Sequence, residues 1–311
     1  MLDPHLNPDT NIKEVAEQTL SRLALDIICQ TKTAKDVMIE ALADIEDAID
    51  HPQKQTPSIR FGLRELDELP GGVRPGELVT IGAQTSGGKS ALATQLTILA
   101  GKNQKSSAIF SLEMTAKSLG FRMLANEGRV PLNAIRNPQR LNPTQLRLLN
   151  EAATVISNLP IYFDDQPCSI DTLLTKCRQL KVKHSIDIVV VDYLQLIEES
   201  SASRRPESRE REVAHTSRAL KNMAQQLSVI VIALSQLNDT GLLRESRAIG
   251  HDSNVVLLVH PEDRDPAKSD SERKIIEITK HRDGPTRRDI HVNFHGAFVR
   301  FEDRSNPESP P

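Results

Sequence analysis

The run Thr80-Ile81-Gly82-Ala83-Gln84-Thr85-Ser86-Gly87-Gly88-Lys89-Ser90 constrains the fold more than any other stretch of the chain. Apolar β-type residues empty into glycines, and Lys89–Ala100 then carries apolar residues at helical spacing, so a strand must turn through a tight loop into a helix. Backbone N–H groups of such a loop point inward around a phosphate. The helix start adds its positive dipole end, and a lysine at the loop's exit reaches the outer phosphates. Ala83, Gln84, Thr85, Ser86, Gly87, Gly88, Lys89 and Ser90 are therefore the candidate nucleotide-binding residues, with Ser90 as a ligand for Mg²⁺. The strict pattern wants glycine where Ala83 stands, and an ordinary strand–turn–helix corner is the plain alternative.

Such a corner belongs to an α/β protein. With 311 residues and 38% hydrophobic content, the chain has room for one large α/β domain and a smaller appendage. Strands are expected over Leu78–Ile81, Ala108–Leu112, Ile161–Phe163, Ile186–Val191, Val229–Leu234, Val255–Val259, Lys274–Thr279, Ile290–Asn293 and Phe298–Phe301. Helical patterns between them include Lys89–Ala100, Leu119–Glu127, Pro143–Ile156 and Glu210–Leu227. The unbroken Ile188-Val189-Val190-Val191 suits a central parallel strand buried on both faces. Residues 12–29 and 37–49 read as two amphipathic helices, the second opened by Thr33 and Asp36 as a capping box. The expected organisation is an N-terminal helical segment over 1–50, a polar linker over 51–58, an α/β domain over 59–303 and a disordered tail over 304–311, with a mobile loop across Glu199–Arg211.

Several function classes are disfavoured. No apolar run reaches membrane-spanning length and Met1–Leu20 lacks a signal-peptide pattern, so a cytoplasmic protein without membrane contact is expected. Cys29, Cys168 and Cys177 are odd in number and in no Cys-x-x-Cys spacing, which argues for reduced thiols and against zinc. The net charge is −3, so any contact with a polyanion must come from local Lys and Arg clusters. Trp is absent and Tyr162 and Tyr193 are the only tyrosines, which favours phosphate-backbone contacts over base stacking if nucleic acid binds.

Other residues carry chemistry by position. Asp192 ends an apolar strand, where α/β sheets collect ligands, and beside the phosphate loop it holds Mg²⁺ through water; alone it is only a cap. Glu113 ends another strand and is the candidate general base for an attacking water, against a surface glutamate. Gln236 closes the Val229–Leu234 strand, where its amide is placed to report a γ-phosphate. Lys280 and Arg282 share one face of an extended segment and suit a triphosphate, supplied from a neighbour as an arginine finger; the alternative is a solvated edge-strand pair.

Together, Gly82–Ser90, Phe110-Ser111-Leu112-Glu113-Met114, Val191-Asp192-Tyr193-Leu194-Gln195-Leu196, Ala233-Leu234-Ser235-Gln236-Leu237 and Lys280-His281-Arg282-Asp283-Gly284-Pro285 closely resemble the C-terminal motor of bacterial replicative DNA helicases of the DnaB type. That family has alanine where Ala83 stands. The resemblance covers Ser58 to Glu302, and residues 31–50 look like the family's linker helix, which docks on the adjacent subunit. It implies a RecA-like fold, a hexameric ring, ATP at subunit boundaries and 5′-to-3′ movement on single-stranded DNA. It further implies that Lys89 and Ser90 bind phosphate and Mg²⁺, Glu113 is the catalytic glutamate, Asp192 the metal-associated acid, Gln236 the coupling residue, and Lys280 and Arg282 the trans-acting pair. Arg244-Glu245-Ser246, with Arg247 beside it, looks like the DNA-contacting loop.

Three departures stand out against the family pattern. Met1–Gln30 takes the place of the helical N-terminal domain, which bears on ring stability and primase contact. Only Asn238–Leu243 separates the Ser-Gln-Leu motif from the DNA loop. Arg247 replaces a glycine, and Gly250-His251 replaces a typical Glu-Gln pair. Beside the helicase reading stand a homologue that co-assembles with a host replicative helicase, and a RecA-like ATPase without unwinding activity. A helicase loader is a further expected partner.

Overall fold

The structure is a computed structural model and describes residues 32–50, 59–68, 72–192, 197, 209–238, 247–263, 272–282, 284, 286 and 288–304. Two compact units make up the chain, residues 1–56 and 57–311. In the first, helix α1 spans Ala34–Asp50. Its start is the expected capping box: Asp36 N–H donates to Thr33 Oγ1 at 3.2 Å, and the Thr33 N–H and hydroxyl donate to Asp36 Oδ2 at 3.1 and 2.7 Å. Those bonds hold the Asp36 carboxyl below its ordinary pKa. The expected helix over 12–29 lies outside the described residues.

The second unit is a layered α/β domain. Its elements in chain order are α2 (Arg64–Asp67), β1 (Leu78–Ala83), α3 (Lys89–Lys102), β2 (Ser107–Ser111), α4 (Ala116–Gly128), α5 (Leu132–Arg136), a 3₁₀ turn (Pro138–Arg140), α6 (Pro143–Ser157), β3 (Ile161–Asp164), α7 (Ile170–His184), β4 (Ile188–Asp192), α8 (Arg209–Leu227), β5 (Ile230–Gln236), α9 (Arg247–Asp252), β6 (Val255–Pro261), β7 (Arg273–His281), β8 (Arg288–His295) and β9 (Arg300–Asp303). Among the described residues the strands form one nine-stranded sheet in the order β3-β2-β4-β5-β1-β6-β7-β8-β9. Pairing is parallel from β3 to β6 and antiparallel from β6 to β9. The two outermost strands, β3 and β9, have only four residues each.

Strand alternation builds two cores from one sequence run. Val79, Ile81, Ile188, Val190, Ile230 and Ile232 face one core, while Leu78, Val189, Val191, Val231 and Ala233 face the other. Helix α3 fills the first with Leu92, Leu96 and Ile98; α7 and α8 fill the second with Leu173, Cys177, Leu220 and Met223. Burial on both faces is why these strands read as continuous apolar runs. Cys168 and Cys177 are buried thiols, and burial pushes the Cys177 thiol up to about 12.

All nine expected strands are present, with shifted ends. Val299 adopts a positive φ of 55° within a turn, so β9 starts at Arg300 and not at Phe298. Lys280 lies on β7 and pairs with Val256 of β6, past the last β7–β8 pair, Ile278 with Arg288, and Arg282 follows the end of the strand. Helix α8 begins at Arg209, inside the stretch expected to be a loop, and Arg304 is held by Glu262 at 2.6 Å where a disordered tail was expected to begin. No helix of the described residues is long and apolar enough to cross a membrane.

Gln95 ties the layers together. On α3 and 3% exposed, it accepts from Phe301 N–H at 2.9 Å and donates to the Phe61 carbonyl at 3.1 Å. Gln95→Leu keeps the volume but strands both buried backbone groups. It is expected to destabilise the domain by about 1–3 kcal/mol in urea unfolding, and an unchanged midpoint would refute the tie.

Candidate functional site

The phosphate loop is built by what surrounds it. β1 lies between β5 and β6, and its chain leaves the sheet at Ala83, the carboxyl edge where doubly wound sheets hold ligands. Gly87 N–H closes a turn on the Gln84 carbonyl at 2.8 Å. Gly88 caps α3 at φ 107°, and a Cβ there would meet Phe301 Cζ at 2.7 Å, so glycine is required twice over. A Cβ on Gly87 would meet the Gln84 oxygen at 2.8 Å and the Ala83 methyl at 2.9 Å. Ala83 therefore packs directly beneath the turn, which accounts for its place in the loop. Helix α3 then starts with Lys89 and Ser90, with no side-chain cap over its N-terminal end, the end of a helix that suits an anion.

Two carboxylates face the loop from adjacent strands. Asp192 ends β4 and is 2% exposed; Glu113 follows β2, its side chain nearly half exposed. Register places Ser111 beside Asp192, which brings the two strand ends together. Lys89, 8% exposed, reaches Glu113 Oε2 and Asp192 Oδ1, each at 3.2 Å. Ser90 Oγ donates to Asp192 Oδ2 at 2.7 Å. A hydroxyl and a carboxylate so close are hard oxygen donors that fit Mg²⁺, which takes few protein ligands and completes its shell with phosphate oxygens and water. Gln236 ends β5 beside β1 and donates through Nε2 to Thr85 Oγ1 at 2.6 Å.

The loop from Thr85 to Ser90, Glu113 and Gln236 line a cleft of about 200 Å³ that also takes in Met114, Arg122 and Phe294, with Asp192 buried behind Lys89 and Ser90. Arg122 is the functional candidate that sequence reasoning missed. Its Nε is buried and, among the described residues, has no hydrogen-bond partner. Burial and then the neighbouring Arg136 lower its pKa, while Asp192 and Glu113 pull the other way. A guanidinium half out of water with an idle donor is suited to an anion. The sequence did hold a signal: Arg122 falls beside Leu119, Met123 and Asn126, the buried side of α4.

Lys280 and Arg282 are not brought to this cleft. Val79 on β1 pairs with Val255 on β6, which pairs with His281 on β7, so the pair stands level with the beginning of β1. About 13 Å of strand separates that level from Ala83. Lys280 Nζ donates to the Gly250 and His251 carbonyls, 2.8 Å each, at the end of α9, and Arg282 is exposed. Arg244, Glu245 and the Arg247 side chain lie outside the described residues, as do Tyr193 to Leu196.

The family described as the DnaB-like helicase C terminal domain matches residues 58–303. The chain is 37% identical over 281 residues to "Replicative DNA helicase DnaB" of Leifsonia xyli subsp. xyli (strain CTCB07), covering 85% of this chain and 59% of that protein. It is 35% identical over 291 residues to the protein of the same name from Geobacillus stearothermophilus, covering 88% and 63%. The chain thus spans less than two thirds of the length of these curated relatives. Among solved structures, one described as an ATPase domain superposes with a TM-score of 0.79 at 28% identity, over 89% of this chain and all of that one (100%). A DnaB-like replicative helicase studied with its primase interactions gives 0.76 at 27%, over 96% and 74%. The RadB recombinase gives 0.50 at 19% identity over 79% of this chain and 99% of that one, a likeness of fold alone. The expected RecA-like α/β class is therefore the observed one.

Arg122→Met removes the charge and keeps much of the side-chain volume. Nucleotide affinity, read by titration with a fluorescent ATP analogue, is expected to fall by about 10- to 100-fold, the worth of a charged hydrogen bond. Unchanged affinity would assign Arg122 to the packing of α4.

Proposed function

Since this chain belongs to the DnaB-like helicase family through its C-terminal domain, we propose that it is an ATP-driven motor that moves 5′ to 3′ on single-stranded DNA and unwinds duplex. The observation that carries this reading is the split site. The phosphate loop and its carboxylates occupy one end of β1, while Lys280 and Arg282 occupy the other. A single copy cannot bring its own pair to its own loop. Head-to-tail contact between copies completes the site, and repeated contacts of that kind close into a ring, here a hexamer.

In the proposed cycle the loop and the start of α3 receive the triphosphate. Lys89 exchanges its carboxylate contacts for the β- and γ-phosphates. Ser90 and Asp192 hold Mg²⁺, which when bound offsets charge on the phosphate oxygens. Released from Lys89, Glu113 orients the attacking water and takes its proton as the new O–P bond forms and the bond to ADP breaks. Gln236 trades Thr85 for the γ-phosphate and so registers its presence or loss. The partner copy's cation pair stabilises the charge on the phosphoryl group in flight.

Arg244, Glu245 and Arg247 contact the DNA backbone in the channel, and the apolar stripe of Val37, Leu42, Ile45 and Ile49 on α1 docks on a neighbouring copy. The protein works in the cytoplasm, and primase and a loader are its proposed partners.

Lys89→Ala is expected to abolish ATP turnover and the unwinding of a forked duplex with a free 5′ tail; retained unwinding would sink the reading. Arg282→Ala is expected to lose DNA-stimulated turnover and to regain it when mixed with Lys89→Ala, since each supplies what the other lacks. Arg244→Ala should weaken single-strand binding across sequences and reduce its salt slope by about 1.

A further inference from the structure

The cationic end of the sheet is held by a hydrogen-bond hub that the mechanism above does not use. Asn254, 6% exposed, joins α9 to β6. Its side-chain Oδ1 accepts from Leu78 N–H at 3.1 Å and from Lys221 Nζ at 2.6 Å. Its Nδ2 donates to Glu77 Oε1 at 3.3 Å, and its N–H donates to the Leu78 carbonyl at 2.8 Å. Its own carbonyl accepts from Arg282 N–H at 3.0 Å. Lys221, on α8, also donates to the Gly76 carbonyl at 3.1 Å. One residue thus fastens β1, α8 and the backbone of Arg282.

A bracket that only closed the start of β1 would need the bonds to Leu78 alone. The further bonds run to the Glu77 carboxylate, the Lys221 ammonium and the Arg282 backbone. Burial lowers the Lys221 pKa; Glu77 raises it, and Arg282 and Lys280 lower it further, so three positive groups share one neighbourhood. Lys280 is held in turn by the last carbonyls of α9, the helix that Asn254 follows. Both members of the pair are therefore referred to the same short segment, Lys280 through its side chain and Arg282 through its backbone.

We propose that Asn254, braced by Lys221, is a positioning residue for Arg282, fixing where the guanidinium stands when it meets the nucleotide of an adjacent copy. The inference rests on the trans-acting reading of Lys280 and Arg282. Displacing a catalytic group by about 1 Å costs up to 10²-fold in rate without removing the group. Loss of the hub should therefore lower turnover less than loss of Arg282 itself.

The test is steady-state ATP hydrolysis with saturating single-stranded DNA on full-length Asn254→Ala, Asn254→Asp, Lys221→Met and Arg282→Ala, each alone and mixed with Lys89→Ala. Asn254→Ala and Lys221→Met are expected to lower kcat by about 10- to 10²-fold, with KM for ATP held within about threefold. Asn254→Asp keeps the acceptor for Leu78 and Lys221 but loses the donor to Glu77, and should recover part of the rate. Mixing should restore Asn254→Ala as it restores Arg282→Ala, because a Lys89→Ala subunit offers a well-placed Arg282. Wild-type kcat in both Asn254→Ala and Lys221→Met, beside a crippled Arg282→Ala, overturns the inference and leaves the trans reading intact. A loss in those variants that mixing cannot restore, where Arg282→Ala is restored, also overturns it, by making Asn254 a residue of folding. Undiminished turnover in Arg282→Ala overturns the trans reading and the inference with it.

Discussion

Lys89 between Glu113 and Asp192 is the contact on which the rest of the site depends. Asp192 is almost wholly buried, and a buried carboxylate without a compensating charge is costly. Its partner comes from the first turn of α3, so the helix must start where the loop delivers it. The loop does so only because Gly87 and Gly88 accept positions that Ala83 and Phe301 deny to any side chain. One ion-pair cluster thereby fixes the ends of β1, β2 and β4 relative to α3. It also keeps the lysine between its two acids at the mouth of the loop.

The parallel half of the sheet was legible because burial on both faces leaves little else for those positions to be. Ile188–Val191 reads as a central strand and is one. The loop and the two strand-terminal carboxylates were legible because each sits at a junction whose chemistry is local. Helix α7 was harder to see, since its buried stripe is narrow, Ile170, Leu173 and Cys177, within a basic, exposed sequence. Arg122 looks in sequence like one more charge on a helix, and only the packing of α4 against the cleft turns it toward the acids. Asn254 could not be read at all. Its partners Leu78 and Lys221 stand 176 and 33 residues away, and only the β1–β6 register and the packing of α8 bring them together. The strand boundaries slipped where turns intervened, as at Val299, because a positive φ in a β-branched residue is imposed by its surroundings.

The antiparallel half has a different task from the parallel half. Strands β6 to β9 carry few of the cleft residues, yet Phe301 supports the loop from below and β7 presents the cations at the far end. Gln95 links these strands to α3 through the Phe301 backbone. The same meander thus braces the loop at one end and carries the cation pair at the other.

The shortness of β3 and β9 has a bearing on how copies of this chain can meet. A sheet with long open rims invites strand-to-strand addition, which propagates without limit and without regard to side chains. Among the described residues the outermost strands have four residues each, β9 carries Arg300, Glu302 and Asp303, and the stretch of β8 that β9 leaves uncovered begins with Arg288 and Asp289. Backbone templating is therefore a poor route to association. Recognition is left to surfaces whose shape and charge are written residue by residue, and those can enforce a finite assembly with one fixed orientation of each neighbour.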